Sequence, residues 1–176
     1  INVKRKIVTA VFIVVFFLLQ TTVFQHLAFA SISPNFMIIL ASSYGFMRGK
    51  KEGMIVGFVS GLFMDVFYGV GSMIGAYALI YLLIGYCNGF FNRMFFEDDI
   101  KLPILLISAS ELVFGLCNYI FLYMMRSKFD FWYYFWNIIV PELVYTIIIT
   151  LFLYPLILYV NQRLDDDEKR GAGKLV

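Results

Sequence analysis

Gly53-Met-Ile-Val-Gly57-Phe-Val-Ser-Gly61-Leu-Phe-Met-Asp65-Val-Phe-Tyr-Gly69 is apolar throughout except for Ser60 and one carboxylate. Its small or acidic residues recur every four positions, at 53, 57, 61, 65 and 69. Steps of four stay on nearly one face of an α-helix, so the stretch reads as a helix with a glycine-lined stripe leading to Asp65. Gly-xxx-Gly lets a second backbone come close, which is how helices associate in lipid, where no hydrophobic force drives them together. The stripe therefore predicts a close helix neighbour, either within the chain or from a partner. The residues on either side point the same way: Arg48-Gly-Lys-Lys-Glu-Gly53 is a sharp polar turn, and Gly69, Gly71 and Gly75 form a glycine-broken one.

The whole chain shares this character. Of its 176 residues, 61% are hydrophobic and 15% charged, against roughly 45–50% and 25% in soluble domains. A chain of this size has too little interior to bury that apolar surface, so the excess must face lipid. The net charge of +2 comes with no basic stripe, and nothing suggests nucleic acid. Cys87 and Cys117 sit in apolar runs without metal or redox spacing and read as small buried hydrophobes.

A membrane span takes about 20 apolar residues. On that ruler the chain divides into an all-α bundle of about six transmembrane helices, over 7–30, 35–47, 54–68, 76–91, 102–125 and 137–160. Ser33-Pro34-Asn35 reads as a helix start, with Ser33 as cap and Pro34 in the first turn. The expected organisation is one transmembrane domain over 1–164 and a short polar cytoplasmic tail, 165–176, without order. Charge supports the count. With six spans, Lys4, Arg5, Lys6, Arg48, Lys50, Lys51, Arg93, Lys101, Arg163, Lys169, Arg170 and Lys174 share one side, and only Arg126 and Lys128 the other. Short cytoplasmic loops collect Lys and Arg, so both termini are expected in the cytoplasm of a bacterial inner membrane. Spans two and three are short, and a re-entrant hairpin is the alternative. It would hold Arg48, Lys50, Lys51 and Glu52 at membrane depth, at about 2.5–3.5 kcal/mol per charge. Lys4-Arg5-Lys6, an apolar run and Ala28-Phe29-Ala30 imitate a secretory signal, but the intervening stretch is too long for the usual pattern. Phe129-Asp-Phe-Trp-Tyr-Tyr-Phe-Trp136 reads as an outer aromatic belt.

Three carboxylates fall inside predicted spans: Asp65, Glu111 and Glu142. An ionisable group in the bilayer is costly and usually turned to the bundle interior. At about 1.5 Å per residue, Asp65 lies about 18 Å from Gly53 and Glu142 about 9 Å from Trp136, both in the outer half, with Glu111 nearer mid-depth. The chain offers little for catalysis. Its one histidine is His26, there is no HExxH or GxSxG, and Gly171-Ala172-Gly173-Lys174 lacks the hydroxyl of a phosphate loop. The reading is non-enzymatic, with no cofactor and no metal. An aspartate-based chemistry on Asp65 and Glu142 and a solute path remain as other uses of buried carboxylates.

From Pro34-Asn35, through Arg48-Gly49-Lys-Lys-Glu52-Gly53 and Gly57-xxx-Gly61-xxx-Asp65, to Gly69, Gly71 and Gly75, the sequence resembles the rod shape-determining MreD family. The motif-bearing match covers about a quarter of the chain, and the second half agrees in layout only. The resemblance implies a membrane scaffold of the bacterial cell-elongation machinery, beside an MreC-like protein, an MreB-like filament, and RodA and penicillin-binding-protein synthases of peptidoglycan. It marks Pro34, Asn35, Arg48, Gly49, Glu52, Gly53, Gly57, Gly61, Asp65, Gly69, Gly71 and Gly75 as motif or partner-interface candidates and assigns nothing to Glu111 or Glu142. The Gly57/Gly61/Asp65 face is a natural place for a partner's helix, and the turn at 48–53 for a cytoplasmic contact. In size and layout the family is similar to the substrate-binding S component of energy-coupling-factor vitamin transporters, so a shared fold is an expectation. The alternative function follows: a small-molecule-binding membrane component with Asp65, Glu142, Trp132 and Trp136 lining an outward pocket.

Overall fold

The computed structural model describes residues 3–26, 34–68, 74–94, 99–123 and 130–174. Ser33, Gly69, Gly71, the Ala28-Phe29-Ala30 stretch, Glu97, Asp98, Arg126 and Lys128 lie outside them, as does the side chain of His26. Every regular element among the described residues is helical: α1 (Val3–His26), α2 (Phe36–Arg48), α3 (Lys50–Tyr68), α4 (Ala76–Gly89), α5 (Lys101–Asn118), α6 (Phe131–Tyr134) and α7 (Val140–Gly173). A 3₁₀ turn, Phe90–Met94, extends α4, and π-helical segments at Tyr119–Tyr123 and Phe135–Ile139 extend α5 and join α6 to α7.

The arrangement is organised around α2. Its residues from Phe36 to Met47 are all buried, because α1, α3, α4, α5 and α7 all pack against it. A helix that is apolar all round belongs in an interior, and Phe36-Met-Ile-Ile-Leu-Ala supplies such a sequence. At 13 residues it is about 20 Å long, well short of the roughly 30 Å of a hydrocarbon core.

Helices α2 and α3 are joined by a single residue, Gly49, whose φ of 100° places it where side chains rarely go. The turn expected across 48–53 is thus one residue long, with Lys50 already in α3. Among the described elements, α3 and α4 pack together most extensively.

Among the described residues two helices are long and apolar enough to cross a membrane, Lys101–Phe121 and the continuous Phe131–Gly173, while Phe36–Arg48 is apolar but shorter. The outer surface of the bundle is itself apolar: Ile7, Val11, Val14 and Leu18 of α1, Leu79 and Leu83 of α4, and Ile148 and Phe152 of α7 are all exposed. This is the surface the composition requires, with the apolar excess turned outward.

The C-terminal end corrects an expectation. Residues 165–173 continue α7 as helix in place of the disordered tail read from composition. Ion pairs hold it there: Asp165 and Glu168 to Arg5, Asp165 also to Arg48, and Asp167 to Lys4. Over its 43 residues the helix from Phe131 is about 65 Å long, more than twice a hydrocarbon core.

Candidate functional site

The motif residues gather around two helix starts inside the bundle. The first belongs to α2. The opening N–H groups of a helix have no partner within it and need acceptors when buried. Here Asn35, 2% exposed, caps the helix, its Oδ1 accepting from the N–H of Ile38 at 3.2 Å. The N–H of Phe36 donates to Gln20 Oε1 of α1 at 2.7 Å, and that of Asn35 to Thr146 Oγ1 of α7 at 3.1 Å. Tyr81 of α4 donates its hydroxyl to Asn35 Oδ1 at 3.1 Å. The Pro-Asn opening is therefore a buried cap on which α1, α4 and α7 converge. The cap is Asn35, one position beyond Pro34, where Ser33 was expected.

The second start is that of α4. Gly75, with φ at 105°, turns the chain into the helix and carries no side chain to cap it. Asp65, at the far end of α3, does so instead. Its carboxylate accepts from the N–H groups of Gly75, Tyr77 and Ala78, each at 3.0 Å, and it is 3% exposed. A carboxylate at a helix N-terminus meets both the free donors and the positive end of the helix dipole. Asp65 needs no cationic partner, because the start of α4 serves as one.

The glycine stripe brings Asp65 there. A methyl group on Gly53 would lie 2.5 Å from the carbonyl oxygen of Gly85 and 2.6 Å from Cα of Gly45; on Gly61 it would lie 2.6 Å from the carbonyl oxygen of Tyr77. Gly57 abuts the Tyr81 carbonyl in the same way, and Gly89 the backbone of Lys50. The face expected to receive a partner's helix is covered by the chain's own α4, and no room is left there for a second helix.

Arg48 and Glu52 face each other across Gly49. Nε and an Nη of Arg48 donate to the two carboxylate oxygens at 3.2 Å each, and the remaining Nη donates to Asp165 Oδ1 at 3.0 Å. Arg5, 4% exposed, lies in the same cluster, donating to Glu168 at 2.6 Å and to Asn161 at 3.2 Å. Hydrogen bonding to Arg5 holds the Glu168 carboxyl below its usual range, and Lys4 does the same for Asp167. The RG-x-x-EG turn is thereby tied to both ends of the chain.

Glu111 of α5 and Glu142 of α7 are neighbours across the packed face of those two helices. Glu111 is 2% exposed. The pocket-lining residues of the transporter reading do not gather: Asp65 is spent on α4, Glu142 faces Glu111, and Trp132 and Trp136 are 68% and 61% exposed. Cys87 is exposed and Cys117 half-buried, not fully interior as expected. Both line an apolar groove between α4 and α5.

Several residues of the site escape a reading of the sequence. Gly85-xxx-Gly89 is the complement of the α3 stripe and shows the same four-residue signal. Gly45, four residues before Gly49, belongs to it too. Gln20, Thr146 and Asn161 show no pattern of their own, since each answers a group far away in sequence.

The model of the family described as rod shape-determining protein MreD matches residues 3–163. No curated protein and no solved structure matches the chain.

Proposed function

The chain belongs to the rod shape-determining MreD family, and from that premise we propose that it is a non-enzymatic scaffold of the bacterial elongation machinery. It serves rod shape by linking an MreC-like protein and an MreB-like filament to RodA and penicillin-binding-protein synthases of peptidoglycan. The family match carries this reading. Geometry supports it, because the motif's polar groups are consumed within the bundle: Asn35 and Asp65 as caps, Arg48 and Glu52 in an ion cluster. Groups so engaged build a rigid frame. No observation favours the transporter reading.

The proposed setting is the cytoplasmic membrane, with α1, α2, α3, α4, α5 and α7 as six spans of one transmembrane domain and both termini inside. The likeness to the S component in size and layout stays part of the proposal, and the short α2 is compatible with it. Partners then meet outward-facing surface, since the motif itself lies inside.

The test is rescue in a rod-shaped bacterium depleted of its own MreD-family protein. Expression of this chain is expected to restore rods, and affinity capture from those membranes to recover the MreC-like protein. Round cells at normal membrane levels, with no MreC-like protein recovered, would refute the scaffold reading.

A further inference from the structure

Antiparallel packing of α5 on α7 places two acids side by side. A methyl on Gly115 would lie 3.1 Å from Ile139 Cγ1, which fixes the register of the two helices. One turn before Gly115 on α5 is Glu111, and about one turn after Ile139 on the other strand of the pair is Glu142, so the two acids stand opposite. Oε2 of Glu111 is buried and has no donor. None of the ion pairs among the described residues includes either acid. The titratable groups facing them are Tyr81 and Tyr77 of α4, and the Tyr81 hydroxyl is already given to Asn35. Beyond Tyr81 lies the uncharged amide of Asn35, to which its hydroxyl donates, and Asp65 of α3 is engaged by the start of α4.

Two neighbouring carboxylates without a cation, Glu111 buried and Glu142 half-buried, repel strongly and cannot hydrogen-bond to each other, since ionised carboxylates only accept. One proton resolves both problems. We propose that Glu111 and Glu142 form a proton-binding site, holding one proton between them as an O–H···O bond that ties α5 to α7. The pair then carries a single negative charge, and the seam between α5 and α7 is closed by a proton drawn from water. Neither acid belongs to the motif that marks the family, so the site is a second polar device, independent of the scaffold reading.

Infrared spectroscopy of the full chain in lipid bilayers, with glutamate isotopically labelled, tests this at pH 7. The wild type is expected to show a protonated-carboxyl stretch equal to one glutamate per chain, moving to lower frequency in deuterated water. Glu111→Gln and Glu142→Gln each supply an amide N–H in place of the shared O–H, so each is expected to fold and to lose the band. Absence of the band in wild type, or intensity equal to two glutamates, would overturn the proposal without reference to any variant. So would survival of the band in either single variant, which would assign the proton to one acid alone.

Discussion

Asp65 does the work of a cap for a helix to which it does not belong. Three backbone donors on one buried carboxylate form bonds of the charge-assisted kind, worth about 1.5–3 kcal/mol each. Asp65→Ala removes all three acceptors and leaves buried N–H groups unsatisfied. A loss of roughly 3 kcal/mol or more is expected, read as a lower midpoint in thermal unfolding of the purified protein in detergent. Asp65→Asn keeps one acceptor oxygen and should fall between. An alanine variant as stable as wild type would mean that the start of α4 finds its partners elsewhere. The importance of this residue was legible, because a carboxylate at the end of a glycine stripe in an apolar run demands a reason. Its partner was not. A four-residue repeat announces a close backbone without saying whose, and the donors that answer Asp65 carry no side-chain signature. Asn35 was legible as a helix start for its residue type, yet Gln20 and Thr146, which complete its cap, lie 15 and 111 positions away and follow no pattern.

Among the elements, α7 departs furthest from what composition suggests. The run Asp165-Asp-Asp-Glu-Lys-Arg170-Gly-Ala-Gly173 has the look of a solvated tail, and a stretch so polar cannot bury enough surface to order itself. Its order comes from cations at the other end of the chain. Arg5, buried and forked between Asp165 and Glu168, supplies most of it. Because Asp167 and Glu168 are held below their usual range by Lys4 and Arg5, their contribution is complete above the ordinary carboxylate values near about 4. It is lost as pH falls through the lowered ones. Hydrogen exchange of amides 165–173 should therefore stay slow down to mildly acidic pH and quicken in stronger acid. Arg5→Ala should produce the fast pattern already at pH 7. Equal protection in wild type and Arg5→Ala would show that the helix persists without its ion pairs. Apolar length located α5 and α7 well, since each run is long enough to declare itself, whereas the boundary between membrane helix and extension depends on distant charges.

At the scale of the molecule, the proposed six-span arrangement with both ends in the cytoplasm is open to direct measurement. In a background with Cys87 and Cys117 replaced by alanine, Asp130→Cys and Asp166→Cys sit at opposite ends of the long C-terminal helix. A membrane-impermeant maleimide added to intact spheroplasts should label position 130 and reach 166 only after lysis. The reverse pattern would invert the proposed orientation. The helix at the centre carries a consequence for how such a chain is made. Buried on every side, α2 is synthesised before the hydroxyl that holds the N–H of its cap residue Asn35, which sits on Thr146, 111 positions further along the chain. Until then the N–H of Asn35 waits for its acceptor, while Gln20 and the Asn35 side chain already serve the first turn of the helix. Arrival of α7, more than insertion of any earlier segment, is then the step that closes the cap at the centre of the bundle.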